Sequence, residues 1–329
     1  MPRILVAGKI HADGLAVLRN APGVELDYVE EVSSESYRPY LANADALLIR
    51  TQPLTSSHIA GAPRLRIVSR HGVGYDSVDI AALNERKIPL AVVGDVNSRA
   101  VAEHAVMLML AAARRTLLFD RKMRAGDWNY RNSLDADEID GSTLLVVGFG
   151  RIGRRLAEIA TALGMTVIAY DKFLDPQVIR AAGVFPVENL LDGLRQADVV
   201  SLHAPKLGAG PLIGAAELAV MKPSAILVNT ARGGLIDETA LVAALDGGRL
   251  AAAGLDVLAD EPPRPDDPLL GCERVVLSPH NAGLTEACAR RMAIAAASNI
   301  LDHFKGTLDP ALIVNRAEIA PRPLPVGEG

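Results

Sequence analysis

Three segments in the second half of the chain each run from a β-like apolar stretch into a residue able to handle protons or anions. "LVNTARGG" carries Arg232, "DVLADEPP" carries Glu261 in a proline-bounded loop, and "VVLSPHNAG" carries His280. A guanidinium holds a carboxylate, or polarises a carbonyl, with its planar fork. An imidazole titrating near its ordinary pKa of ~6.5 can give a proton to a developing alkoxide and take one back. A carboxylate beside the imidazole holds the ring and favours its charged form. Taken singly, the arginine reads as a surface ion pair and the histidine as a structural one. Together, at strand ends of one sheet, they supply what hydride exchange with a carbon bearing oxygen requires.

A hydride carrier is suggested upstream. Residues 144–153 read "LLVVGFGRIG", with Gly148-x-Gly150-x-x-Gly153 between a strand-like run and the helical pattern "RRLAEIATALGM". In such a strand–turn–helix unit Gly148 makes the tight turn. Gly150 lets the backbone approach a pyrophosphate, and Gly153 lets the helix pack on its strand. The phosphates would meet the free N–H groups of the helix start, at Arg151 and Ile152. Asp171 closes the next apolar run, "MTVIAYD", where a carboxylate accepts hydrogen bonds from both ribose hydroxyls. That carboxylate repels a 2′-phosphate, so NAD is expected over NADP; the neighbouring Lys172 reads as a solvated strand-end lysine.

These residues must be positioned by α/β units. Residues 2–95 alternate apolar runs ("RILVAG", "DALLIR", "LRIVSR", "PLAVVGD") with helical patterns, and a second alternating series starts at 144. Two open parallel sheets are the expected outcome. The longest helical pattern covers 98–125 and ends at Gly126; another runs from "TEACARRMAIAAASNILDHFKG"; and the tail "APRPLPVGEG" is expected to fray. At 329 residues the chain exceeds what one core usually supports, which implies two domains. A net charge of −5 and a pI near 5.8 give no basic field for nucleic acid. No stretch approaches the ~20 apolar residues of a membrane span. Cys272 and Cys288 match neither a metal-ligand spacing nor a disulfide framework. The expectation is a soluble, cytoplasmic protein without a metal.

"VGFGRIG", "NTARGG", "GLDV" with the "EPP" loop, and "SPHNAG", in this order and together with "VAEHAVMLML" and "SRHGVGYDSVDI", closely resemble the D-isomer-specific 2-hydroxyacid dehydrogenases across nearly the whole chain. The resemblance implies two flavodoxin/Rossmann-like, doubly wound parallel-sheet domains. The substrate domain would be discontinuous, 1–97 plus 285–329, around an NAD-binding domain at 98–284. It implies a catalytic set of Arg232, Glu261 and His280, and cofactor contacts at His203, Ala204, Pro205, Thr230, Ala231, Arg232, Asp256, His280 and Gly283. Val73 and Gly74 would bind the substrate carboxylate through backbone N–H groups. His104 matches a structural feature with no catalytic role.

Arg50 and Arg70 match positions where 3-phosphoglycerate dehydrogenases turn arginines toward substrate, which would suit a second anionic group. Hydroxypyruvate or glyoxylate reduction is the nearest alternative. Formate dehydrogenases carry glutamine at the position of Glu261 and are disfavoured, whereas phosphite dehydrogenases keep the triad. A non-catalytic NADH-sensing protein of corepressor type is the rival from another class. The implied partner is a small 2-hydroxy or 2-keto acid, and the 98–125 helix with the Trp128 segment implies a homodimer.

Overall fold

The computed structural model describes residues 1–31 and 33–319, so the tail expected to fray lies outside the described residues. Contacts divide the chain into two units: Met1–Asn97 with the chain from Thr285, and Ser98–Leu284.

In the first unit β1 (Arg3–Ala7), β2 (Glu25–Val29), β3 (Ala46–Ile49), β4 (Ile67–Arg70) and β5 (Leu90–Ala91) pair in the order β2-β1-β3-β4-β5, every pairing parallel. Ala46–Ile49 is buried throughout, as expected of a strand covered on both faces. The final long helix, Glu286–Lys305, packs on this same sheet. Ser69 Oγ donates to the Ala296 carbonyl at 2.8 Å and Asn299 Nδ2 to Val92 O at 3.1 Å. A Cβ on Gly14 would stand 2.7 Å from the Ala293 backbone, so a glycine is required where the Ala12–Arg19 helix meets the final one.

The second unit holds β6 (Thr143–Val147), β7 (Thr166–Tyr170), β8 (Phe185–Pro186), β9 (Val199–Leu202), β10 (Ile226–Asn229), β11 (Ala252–Leu255) and β12 (Val275–Leu277). Their order is β12-β11-β10-β9-β6-β7-β8, all parallel. Alternation along β6 sends Leu145 and Val147 into one apolar cluster and Leu144 and Val146 into another, so both faces are covered. Chain order reverses between β6 and β9, and the carboxyl ends flanking that switch point form the crevice where doubly wound sheets bind ligands. Gly148 and His203 directly follow those two strands.

The single helix expected over 98–125 is two, Ser98–Ala113 and Thr116–Arg124. Arg115 adopts φ 50, a left-handed conformation that interrupts the i→i−4 ladder, and the carbonyl of Ala113 instead accepts from Asp137 N. In the segment that follows, Trp128–Asn132 forms a 3₁₀ helix.

Candidate active site

The turn after β6 meets the requirements of a dinucleotide cradle. Gly148 has φ 94, and a Cβ there would stand 2.6 Å from Ala204 N, at the end of β9. A Cβ on Gly153 would collide with the Gly148 carbonyl and approach Val146 Cγ1 to 2.9 Å, so the helix Arg151–Ala162 sits directly on its strand. Gly150, the N-cap of that helix, has nothing within 4 Å of a Cβ position. The space over the helix start, where Arg151 and Ile152 expose their N–H groups, is therefore open. Two buried polar atoms point to a further polar ligand. His203 Nδ1 and Thr230 Oγ1, on the neighbouring strand ends of β9 and β10, have no hydrogen-bond partner among the described residues. Buried groups of this kind are normally satisfied, so a bound dinucleotide is a natural partner for them. Burial holds the His203 pKa down at about 4, so this ring is neutral. The residues present fit the dinucleotide.

Asp171 follows β7 and lines an apolar cleft of about 150 Å³ together with Val147, Tyr170, Phe173, Pro205 and Leu212. Its carboxylate already accepts three backbone N–H groups: Phe149 at 2.8 Å, Phe173 at 2.9 Å and Leu174 at 3.1 Å. The Phe149 bond ties the acid to the glycine turn itself, which spacing alone did not reveal.

The three residues expected to carry the chemistry, Arg232, Glu261 and His280, follow three adjacent strands. Asn229 staples the turn after β10, with Oδ1 accepting from Ala231 N at 3.0 Å and Nδ2 donating to the Arg232 carbonyl at 2.9 Å. Arg232 Nη1 donates to Ala231 O at 2.7 Å. The next residue, Gly233, has no room for a side chain because a Cβ would collide with the Leu258 carbonyl. That close approach brings the arginine turn against the loop bearing Glu261. In that loop Glu261 Oε1 accepts from Leu258 N at 3.1 Å, and Ala259 N donates to Glu238 Oε1 at 2.6 Å. Glu261 Oε2 lies 2.6 Å from His280 Nδ1.

The hydrogen bond to Glu261 raises the His280 pKa above the ordinary value; desolvation and the Arg232 charge oppose this, while the charges of Glu261 and Asp256 reinforce it. For Glu261 burial is the largest influence and pushes the pKa up. The bond to His280, that residue's charge and the Leu258 N–H outweigh it, and the net shift is downward. The His280 and Glu261 side chains remain 55% and 37% exposed, so the imidazole is reachable.

Asp256, at the end of β11, is 1% exposed and its oxygens face the strap that carries His280. Oδ1 accepts from Ser278 Oγ at 2.6 Å and Asn281 N at 2.9 Å, and Oδ2 from Ala282 N at 3.0 Å. Its backbone carbonyl takes the His280 N–H at 2.8 Å. Gly283 follows on the same strap, and Ala231 is buried beneath the arginine turn. Behind the strap, His104 Nε2 lies 2.8 Å from Ser278 Oγ. The sequence offered only a faint signal for that contact, one histidine inside the apolar run "VAEHAVMLML".

The remaining expected substrate residues belong to the first unit. Arg50 follows β3 and donates Nη1 to the Lys9 carbonyl at 3.2 Å; among the described residues no carboxylate pairs with it. Arg70 ends β4 and donates Nη1 to His71 O at 3.0 Å. Val73 and Gly74 are half-buried in the loop that follows. Among the described residues there is no group of three or more His, Cys, Asp or Glu side chains able to hold a metal ion, and no helix is long and apolar enough to cross a membrane.

Residues 106–282 match the model of the D-isomer specific 2-hydroxyacid dehydrogenase NAD binding domain. The chain is 36% identical over 310 residues to the D-3-phosphoglycerate dehydrogenase of Methanocaldococcus jannaschii, covering 94% of this chain and 58% of that protein. It is 37% identical over 330 residues to the glyoxylate reductase of Aeropyrum pernix, covering 98% of both. A glyoxylate reductase structure from Paecilomyes thermophila superposes with a TM-score of 0.84 at 31% identity, covering 96% of this chain and 99% of that one. The chain spans 58%, 51% and 61% of three phosphoglycerate dehydrogenases that it matches. With a domain model matched over more than half its length and relatives above 30% identity along nearly all of it, the chain belongs to the D-isomer specific 2-hydroxyacid dehydrogenase family and carries that family's NAD-binding domain.

Proposed function

We propose that the protein is an NAD-dependent oxidoreductase that moves a hydride between the nicotinamide and C2 of a D-2-hydroxy acid or its 2-keto acid. The observation that carries this reading is the 2.6 Å pairing of His280 Nδ1 with Glu261 Oε2, in the unit that also holds Arg232 and the glycine cradle. When bound, the reduced nicotinamide supplies the hydride that the carbonyl carbon receives. With Nδ1 engaged by Glu261, His280 uses Nε2 to give a proton to the carbonyl oxygen as charge develops there, and the same nitrogen takes the hydroxyl proton in the oxidative direction. One keto acid, one NADH and one proton thus become one hydroxy acid and one NAD⁺. Glu261 keeps the ring oriented and stabilises its charged form. Arg232 holds the substrate carboxylate and polarises the carbonyl.

Two substrate classes follow from different residues. Arg50, with no carboxylate partner among the described residues, and Arg70 support a 2-keto acid bearing a second anion, such as the 3-phosphoglycerate couple. The end-to-end match with glyoxylate reductases supports a small acid such as glyoxylate or hydroxypyruvate. The deciding experiment is NADH oxidation against glyoxylate, pyruvate, hydroxypyruvate, its phosphate, sulfopyruvate and oxaloacetate, repeated with NADPH. Preference for doubly anionic acids that disappears in Arg50→Ala or Arg70→Ala establishes the second-anion pocket. Preference for small acids assigns those arginines to structure, and tight NADH binding without turnover of any acid favours the sensing reading. We further propose a cytoplasmic homodimer. Leu117, Met123 and Trp128 are 57%, 58% and 60% exposed, an apolar surface that self-association would cover, and Cys272 and Cys288 are free thiols suited to a reducing compartment. Sedimentation at micromolar concentration tests the dimer.

A further inference from the structure

His104 lies one helical turn from Leu108 on the helix Ser98–Ala113, and Leu108 is the residue that Gly254 makes room for in β11. A Cβ on Gly254 would stand 2.8 Å from Leu108 Cβ. Four helical residues rise about 6 Å; two strand residues advance about 6.6 Å. The helix and β11 therefore stay in step, and His104 meets Asp256 where Leu108 meets Gly254. The result is a chain of hydrogen bonds beneath the strap that carries His280. Ser278 Oγ donates its one proton to Asp256 Oδ1 at 2.6 Å, so toward His104 it can only accept. His104 Nε2, 2.8 Å away, therefore carries a proton and donates it, and it also stands 3.4 Å from Asp256 Oδ1. His104 and Asp256 are 16% and 1% exposed, so water does not compete freely for these bonds. Burial alone would drive the Asp256 carboxyl up, but the donors His104, Ser278, Ala282 and Asn281 outweigh it and keep the group ionised.

The same carboxylate holds Asn281 N and Ala282 N, and the Asp256 carbonyl holds His280 N, in a strap where His280 itself takes φ 48. A non-glycine residue in that conformation persists only where its surroundings hold it. Here those surroundings are Asp256, and Asp256 is in turn held by Ser278 and His104.

We propose that His104 is a positioning residue for the proton donor, acting through Ser278 and Asp256 to fix the strap on which His280 meets Glu261. It touches neither substrate nor cofactor. The proposal rests on reading His280 as the proton donor. It assigns a task to a histidine that the sequence marks only as structural.

The experiment uses the whole protein labelled with 13C-histidine, without cofactor. With seven histidines, the His280 resonance is identified by its loss in His280→Asn. The groups acting on the His280 charge are Glu261 from the loop after β11, Asp256 at the end of β11 and Arg232 after β10. In His104→Leu the strap slackens and the His280–Glu261 bond weakens, so the His280 titration midpoint falls toward the ordinary histidine value. The alkaline limb of keto-acid reduction moves to lower pH with it. kcat falls by about tenfold, while the NADH dissociation constant stays within about twofold. His104→Gln, which keeps an N–H in reach of Ser278, restores the midpoint and the limb. Ser278→Ala removes the relay without disturbing the helix, and it reproduces the leucine result even where His104→Leu folds poorly. A folded His104→Leu or Ser278→Ala protein whose His280 midpoint and alkaline limb stay at the parent values overturns the proposal. Retained turnover in His280→Ala instead overturns the role given to His280, and the resonance shift then decides the relay by itself.

Discussion

Replacing Gly150 and Gly153 separately by alanine distinguishes a pyrophosphate floor from a plain tight turn. Gly150 sits at φ −76, ψ −158, which any residue adopts, and a Cβ there meets nothing within 4 Å. The apoprotein should tolerate Gly150→Ala within about 1 kcal/mol, and loss of glycine's freedom in the unfolded chain even favours the fold slightly. What the methyl obstructs is the approach of a ligand to the helix start. Loss of one charge-assisted hydrogen bond there, about 1.5–3 kcal/mol, corresponds to roughly 10- to 100-fold weaker NADH binding. Gly153→Ala is the opposite case, because its Cβ would collide with the Gly148 carbonyl and crowd Val146. Overpacking of this kind costs ~1–3 kcal/mol, or roughly 2–10 °C of melting temperature for a unit of this size. Thermal unfolding without cofactor and NADH fluorescence titration read the two quantities independently. Unchanged NADH affinity in Gly150→Ala would refute the cradle, leaving the triplet as a structural turn.

His280→Ala should lower reductive turnover by ~10²–10⁴ with NADH affinity nearly unchanged, and loss of affinity with full turnover at saturation would remove His280 from the chemistry. Glu261→Gln keeps a hydrogen-bond partner but removes the charge that raises the His280 pKa. Reduction needs the charged ring and is lost as pH rises through that raised pKa, so the alkaline limb should shift to lower pH; a limb that stays in place dissociates Glu261 from the proton donor. The stability carried by this pair has matching limits. The Glu261 share disappears as pH falls through its lowered pKa and the His280 share as pH rises through its raised one, and with both side chains more than a third exposed the pair contributes at most about 1 kcal/mol. Asp171→Ala should narrow the preference for NADH over NADPH by about tenfold or more. It should also lower the melting temperature, because the N–H groups of Phe149, Phe173 and Leu174 lose their acceptor; an unchanged cofactor preference would place the selectivity elsewhere.

The glycine unit was legible because turn chemistry is local: the strand, the three glycines and the helix all fall within residues 143–162, Gly153 is demanded by Gly148 and Val146 in that same stretch and Gly148 by the adjoining strand end, while Gly150 leaves its Cβ position open. Arg232, Glu261 and His280 were legible one at a time. Their approach depends on β10, β11 and β12 lying side by side, and on Gly233 admitting the Leu258 carbonyl, neither of which a periodicity contains. The break at Arg115 was hidden for the converse reason. Apolar spacing continues through "AAARRTLLF", and the left-handed residue is an arginine where a sequence would normally signal with glycine.

Gly254 shows how a distant constraint is nonetheless written locally. Between the buried Ala253 and Leu255, it reads as a weak point in a strand, since glycine interrupts side-chain packing there. In the fold it is the position at which the helix Ser98–Ala113 comes close enough for His104 to reach Ser278. A larger residue at 254 would push Leu108 outward and lengthen the 2.8 Å bond one turn away, so Gly254→Ala should shift the His280 titration in the same direction as His104→Leu, though less far. Unmoved titration in a folded Gly254→Ala protein would mean that the helix yields without disturbing the strap, and that the close packing at Gly254 serves the core alone.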